Sequence, residues 1–164
     1  MKTIYIIRHA KSSWAILNQS DFERPLNEKG NNDAPEMAKR LLNKKIKIDL
    51  FISSPALRAK QTCEHFCEVY KVPLKDIVFN ETLYHAPEQV IKNAVNTIDD
   101  KFNSAAMFIH NPGITDYVNT LTQEVLIDDM PTCAIFAVEA DVQHWKEFSE
   151  AEKTFLFFDY PKNK

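Results

Sequence analysis

Glycine is almost missing from this chain: among 164 residues only Gly30 and Gly113 occur. A P-loop or a G-x-G-x-x-G dinucleotide turn needs several glycines to wrap backbone around phosphate, so neither can be built here. Any phosphate must be held by side chains and helix N-termini. Cysteine is scarce too, with three residues at no framework spacing. That odd count fits a reducing compartment better than a disulfide scaffold. Long apolar runs are absent: "AAMFI" and "TFLFF" fall far below the roughly 20 residues of a membrane span, and no basic stretch with a long apolar core opens the chain. We expect a cytoplasmic protein without a membrane partner. Neither sign of charge dominates, at net −3, which leaves no broad basic face for nucleic acid. An anion site therefore has to be local.

What is present alternates between strand and helix. "TIYII" reads as a strand, and Ala34, Met37, Ala38, Leu41 and Leu42 then recur at helical spacing. "DLFIS" predicts a second strand. Ser54 as N-cap and Pro55 at the first helical position predict a second helix, with Ala56, Ala59, Cys63, Phe66, Cys67 and Tyr70 as its buried stripe. "DIVF" predicts a third strand, Val90, Ile91, Ala94, Val95 and Ile98 a third helix, and "AAMFI" a fourth strand. Asn111 and Pro112 open a fourth helix with Ile114, Tyr117, Val118 and Leu121 inside, and "CAIFAV" and "TFLFFDY" are two closing strands. The expected fold is a single α/β domain over residues 1–164. It has three layers: a mainly parallel sheet, with one antiparallel strand near its edge, between helices on both faces.

In open α/β sheets, sites form beyond the carboxyl ends of the strands. Arg8 and His9 follow the first strand, Arg58 lies just past the second, and His110 follows the fourth. Each residue alone has a bland explanation as a solvated or capped side chain; Arg58 could pair with a carboxylate such as Glu23. Together they map to one edge of one sheet. Arg58 also falls in a first helical turn, where the helix dipole disfavours a cation by a few tenths to about 1 kcal/mol, so something negative should compensate. The chemistry of the set is specific. Neutral imidazole can attack phosphorus in line, and planar guanidiniums that never lose charge can hold the equatorial oxygens. A rigid strand ending in Arg8 and His9 would fix the angle of attack.

Four stretches in order, "IIRHAKSSW", "DFERPLNEKG", "ISSPALRAKQT" and "HNPG", resemble the histidine phosphatase superfamily with its phosphoglycerate mutase-like fold. The likeness runs along nearly the whole chain and is closest to the phosphohistidine phosphatase branch. It implies His9 as the phosphorylated nucleophile, Arg8, Arg58 and His110 as the phosphate pocket, Arg24 as a further substrate contact and Ser12 as a weaker donor. No cofactor and no metal are expected, because the guanidiniums and His110 take the electrostatic role that a metal ion would otherwise supply. In many relatives the general acid lies in the loop after the third strand, where Glu81 of "NETLYHA" falls; a surface glutamate near His85 is the plain alternative.

The departures matter as well. Mutase-type patterns place glycine after the first histidine and commonly before the second, where this chain has Ala10 and Ile109; it also has Lys11 and Ala15 where mutases tend to carry an acid and an asparagine. Mutase activity on sugar phosphates is therefore not expected. The resemblance points to phosphohistidine on a protein, such as a histidine-containing phosphotransfer domain, with small phosphate esters as the alternative substrate. A non-catalytic phospho-recognition module would keep the arginines but would have no use for His9. Cys63, His65 and Cys67 do not make a zinc site, because His65 leaves the face that the cysteines share and no fourth ligand has suitable spacing. His65 and His144 are assigned no role.

Overall fold

The computed structural model describes residues 1–164. Ten elements build it: β1 (Lys2–Arg8), α1 (Glu28–Asn43), β2 (Leu50–Ser53), α2 (Leu57–Tyr70), β3 (Val78–Phe79), α3 (Glu88–Asn96), β4 (Ser104–Ile109), α4 (Gly113–Val118), β5 (Ile135–Ala140) and β6 (Thr154–Asp159). The six strands form one sheet in the order β3-β2-β4-β1-β5-β6. β1 runs parallel to β4, and β2 parallel to both β4 and β3, while β5 is antiparallel to its two neighbours, β1 and β6. The expected mainly parallel sheet, with one antiparallel strand next to its edge, is what forms.

Burial explains why strand and helix alternate. β4 is buried at all six positions and β2 at all four, as befits central strands covered on both faces. One core joins α3 and α4 to Ile4, Ile6, Met107 and Phe136; the other joins α1 and α2 to Tyr5, Ile7, Phe51 and Phe108. Odd and even strand positions thus feed opposite layers, because successive side chains of a strand point to opposite faces.

Three local expectations need correction. Leu42 is exposed, because it stands one residue, about 100° of helical turn, beyond the Ala34–Met37–Ala38–Leu41 stripe. β3 is only two residues long, and both Val78 and Phe79 are exposed at the sheet's outer edge. α2 begins at Leu57 rather than Pro55, with Ala56 in the cap position, so Ser54 is not its N-cap. At the foot of β1 the charged Lys2 is buried, its ammonium donating to the carbonyls of Asp100 and Phe102 and to Asn103 Oδ1 at 2.7, 2.9 and 3.0 Å. Three acceptors make that burial tolerable.

The two glycines sit where helices meet loops backbone to backbone. A Cβ on Gly30 of α1 would overlap the carbonyl oxygen of Lys11, and one on Gly113 of α4 would overlap that of Ala86. Only glycine permits either approach.

Candidate active site

Sheet register brings the polar strand ends together. Arg8 is paired with Ile109 across the β1–β4 ladder, so His9 and His110 emerge side by side, with ring centroids 5.1 Å apart. β2 ends on the other side of β4, where the Ser54 amide donates to the Phe108 carbonyl at 3.0 Å. Ser54 Oγ then meets His110 Nε2 at 2.7 Å and accepts from the Ala56 amide at 3.3 Å. The residue expected to cap α2 instead orients the second histidine.

His9 is almost wholly buried and its Nδ1 donates to the Ala10 carbonyl at 2.8 Å, a tautomer assigned from that bond. Nε2 is left with its lone pair. Burial pulls the His9 pKa down to about 3, against the opposing bond to Ala10, and the charges of Arg58, Arg8 and Arg24 lower it further. His110 falls to about 2, first by burial and then through His9, Arg58 and His85. Both rings are therefore neutral throughout the physiological range.

Thr62, one turn along α2 from Arg58, ties the first and third of the four motifs to each other. Its hydroxyl accepts from the Ala10 amide at 2.9 Å and donates to the Arg58 carbonyl at 2.7 Å. Two guanidiniums converge on Asp21, while that of Arg8 donates to the Met130 carbonyl at 2.7 Å. Arg58 donates to the Asp21 backbone carbonyl at 2.7 Å and to Oδ2 at 3.0 Å. Arg24 donates through Nε and a terminal nitrogen to Oδ1 at 3.2 and 3.1 Å, and through its other terminal nitrogen to Ser12 Oγ at 2.6 Å. Tyr84 donates its hydroxyl to Oδ2 at 2.7 Å, and His85 Nε2 lies 3.5 Å from the same oxygen. Burial raises the Asp21 pKa, but Tyr84 and the two arginines outweigh it and hold the carboxyl well below the usual range. Asp21 is a permanent anion here.

The negative group expected near Arg58 is thus Asp21, two residues from the Glu23 considered at first. The structure brings together Arg8, His9, Arg58, His110, Arg24 and Ser12. Glu81 is exposed in a single 3-10 turn, and its carboxylate makes no hydrogen bond or ion pair with the cluster. Sequence reasoning missed Asp21, Ser54, Thr62, Tyr84 and His85. One signal existed: Asp21 stands three residues before Arg24, a spacing at which side chains pair in a helical turn. His85 left no such signal in the sequence; in the structure it is one of five non-glycine residues with a left-handed φ, at 56°. Cys63 and Cys67 lie in the core, whereas His65 bonds Asn31 at 2.9 Å on the outside.

Four buried side-chain polar atoms in the chain lack a partner, and three belong to this cluster: Arg8 Nε, Arg58 Nε and His110 Nδ1. Such atoms are rare and concentrate where function demands them. A hollow of about 530 Å³ is bordered by Asp49, Leu50, Phe102 and α3 residues. It lies where β2 and β4 begin and has no histidine, cysteine or arginine in its lining, so chemistry and not volume locates the site.

A family model described as the histidine phosphatase superfamily, branch 1, matches residues 4–85, half of the chain. The chain belongs to the histidine phosphatase superfamily. The matched span covers Arg8, His9, Ser12, Asp21, Arg24 and Arg58, and His110 joins them through the sheet. No curated protein matches the sequence. Among solved structures, the protein histidine phosphatase SixA complexed with tungstate has a TM-score of 0.82 at 23% identity, covering 98% of each chain. A SixA protein from Agrobacterium tumefaciens scores 0.83 at 24% identity, also over 98% of each chain. A mycobacterial glucosyl-3-phosphoglycerate phosphatase complexed with VO3 scores 0.74 at 12% identity, covering 98% of this chain and 100% of its own. At these identities the likeness is one of fold.

Proposed function

We propose that the protein is a metal-independent phosphatase that removes phosphate from phosphohistidine on a cytoplasmic protein, through a phosphorylated His9. The supporting arrangement is a neutral, deeply buried imidazole with a free Nε2, ringed by three guanidiniums. In the first step Nε2 attacks phosphorus, the bond from phosphorus to the leaving nitrogen breaks, and the departing imidazole leaves neutral if its other nitrogen carries a proton. Water then attacks phospho-His9, releasing inorganic phosphate and restoring the lone pair. Arg8, Arg58 and Arg24, with His110, stabilise charge on the phosphoryl oxygens as the transition state forms. Ser12 acts by holding Arg24.

One observation carries the choice of substrate: Asp21, the carboxyl that pairs with both Arg58 and Arg24, is an anion with no proton to give. An ester leaves as an alkoxide, and a placed acid is typically worth 10²–10⁴-fold to it. A protonated phosphohistidine needs little of that help. Three buried free cysteines accord with a reducing compartment.

The test compares rates on a phosphorylated histidine-containing phosphotransfer domain and on a panel of phosphate esters, with rapid quenching to trap phosphate on His9. The phosphohistidine protein should be turned over fastest, through an acid-labile and base-stable phosphoenzyme that His9→Ala abolishes. Glu81→Gln should leave this reaction nearly unchanged. Faster turnover of any ester, or full activity of His9→Ala, defeats the proposal.

A further inference from the structure

The stretch between Ser12 and Arg24 carries an unusual amount of exposed carbon. Trp14, Ile16, Leu17 and Phe22 are 77%, 57%, 87% and 40% exposed. The loop is closed at its base, where Ser12 bridges Leu26, the Ser13 amide donates to the Pro25 carbonyl at 2.8 Å, and Ser12 Oγ accepts from Arg24. Two of the four apolar groups reach the phosphate pocket itself. Trp14 stacks on the Arg24 guanidinium at 3.6 Å, and Phe22 meets the Tyr84 ring edge-on at 5.0 Å. Ile16 and Leu17 stand beyond them, facing water.

Three readings compete for this surface. A lid closing over a metabolite would have to move, yet Trp14 is held on Arg24, and Arg24 is held by Asp21 and Ser12. A second copy of the chain seated here would cover the pocket that the same loop borders. A phosphorylated macromolecule suffers neither objection, because placing its phosphoryl group near His9 brings its own surface down on the loop. Exposed apolar patches beside a polar site commonly mark protein contacts, with tryptophan prominent among the residues that carry them.

The geometry points to the loop as the docking surface for the phosphoprotein: Ile16 and Leu17, with Trp14 and Phe22 at the pocket edge, seat on an apolar collar around the partner's phosphohistidine. This rests on the substrate reading proposed above. The loop recognises the partner's fold while the pocket recognises only the phosphoryl group.

The experiment uses the double variant Ile16→Asp, Leu17→Asp, since neither side chain touches a pocket residue. Its substrates are a phosphorylated phosphotransfer domain and phosphoramidate, which has a phosphorus–nitrogen bond but no protein surface. KM for the phosphoprotein should rise at least about tenfold with kcat little changed, as expected when apolar contacts at an interface are lost. Hydrolysis of phosphoramidate should stay within about twofold of wild type, a difference too small to represent a lost contact. The pair Ile16→Leu, Leu17→Ile should keep the wild-type KM. An unchanged phosphoprotein KM in the aspartate variant overturns the inference, and so does an equal fall on both substrates, which would make the loop part of the catalytic apparatus. A dimer that the variant converts to monomer, with KM unaltered, would assign the surface to a second copy. A wild-type protein that cleaves phosphoramidate but no phosphohistidine protein would defeat the substrate reading and this inference with it.

Discussion

Lowering the pH from 7 to 5 should destabilise this fold through two residues at its centre. His9 and His110 are held neutral inside the protein but titrate near 6.5 once the chain unfolds, so acid favours the unfolded state. The stability is fully present above pH 6.5 and is lost as pH falls toward the folded values of about 3 and about 2. For one such histidine, linkage gives a loss of about 0.2 kcal/mol at pH 7 and about 2 kcal/mol at pH 5. Both together remove about 4 kcal/mol over that interval, a large share of the 5–15 kcal/mol typical of a domain. Asp21 does not contribute there, because its depressed carboxyl loses stability only as pH falls below its unfolded value near 3.8. Urea unfolding, followed by fluorescence of the fully buried Trp145, measures the effect at pH 7, 6 and 5. His9→Gln and His110→Gln should each remove about half of the pH dependence, whatever their own cost at pH 7. Histidines 65, 85 and 144 are common to every variant and cancel. If either variant keeps the whole wild-type slope, that ring is not buried and neutral as described.

Three further outcomes follow from the same geometry. Arg58→Ala should lower kcat/KM by about 2–4 kcal/mol of transition-state stabilisation, the range for deleting one charge-stabilising donor, and chelators should leave the wild-type rate unchanged. A loss below tenfold, read from steady-state kinetics on a phosphohistidine substrate, would remove Arg58 from the phosphate pocket. Gly113→Ala should destabilise the protein by about 1–3 kcal/mol or more, because the added Cβ meets the Ala86 backbone and not a movable side chain. An unfolding midpoint equal to wild type would contradict that packing.

The strand ends were legible in the sequence because short, unbroken apolar runs stop there. A run that ends at Ile7 or Ile109, bounded by polar residues, announces both a buried strand and the edge where its polar successors must emerge. Asp21 was not legible in the same way. It lies in a loop without periodicity, and its role depends on Arg58, which sheet topology and not sequence distance brings beside it. Ser54 and Pro55 misled for a local reason: serine followed by proline is a sound helix start, but the β2 strand delivers Ser54 to His110 first, and the hydroxyl bonds there. Lys2 gave no warning either, since a charged residue at the start of a strand ordinarily reaches water, and its three acceptors come from a turn about a hundred residues away.

The two glycines bear on how such an enzyme can change. Through Gly30 and Gly113, helices from opposite faces of the sheet press directly on the backbones of Lys11 and Ala86, each within two residues of a cluster side chain. Contact between main chains has no rotamer to adjust, so a substitution elsewhere cannot nudge those two anchor points without shifting an entire helix. The stretch from Ser13 to Phe22 is under no such restraint over most of its length. Inherited variation can therefore redraw the outer collar residue by residue while the phosphoryl-handling centre stays mechanically fixed, and partner choice can diverge among descendants that share one chemistry.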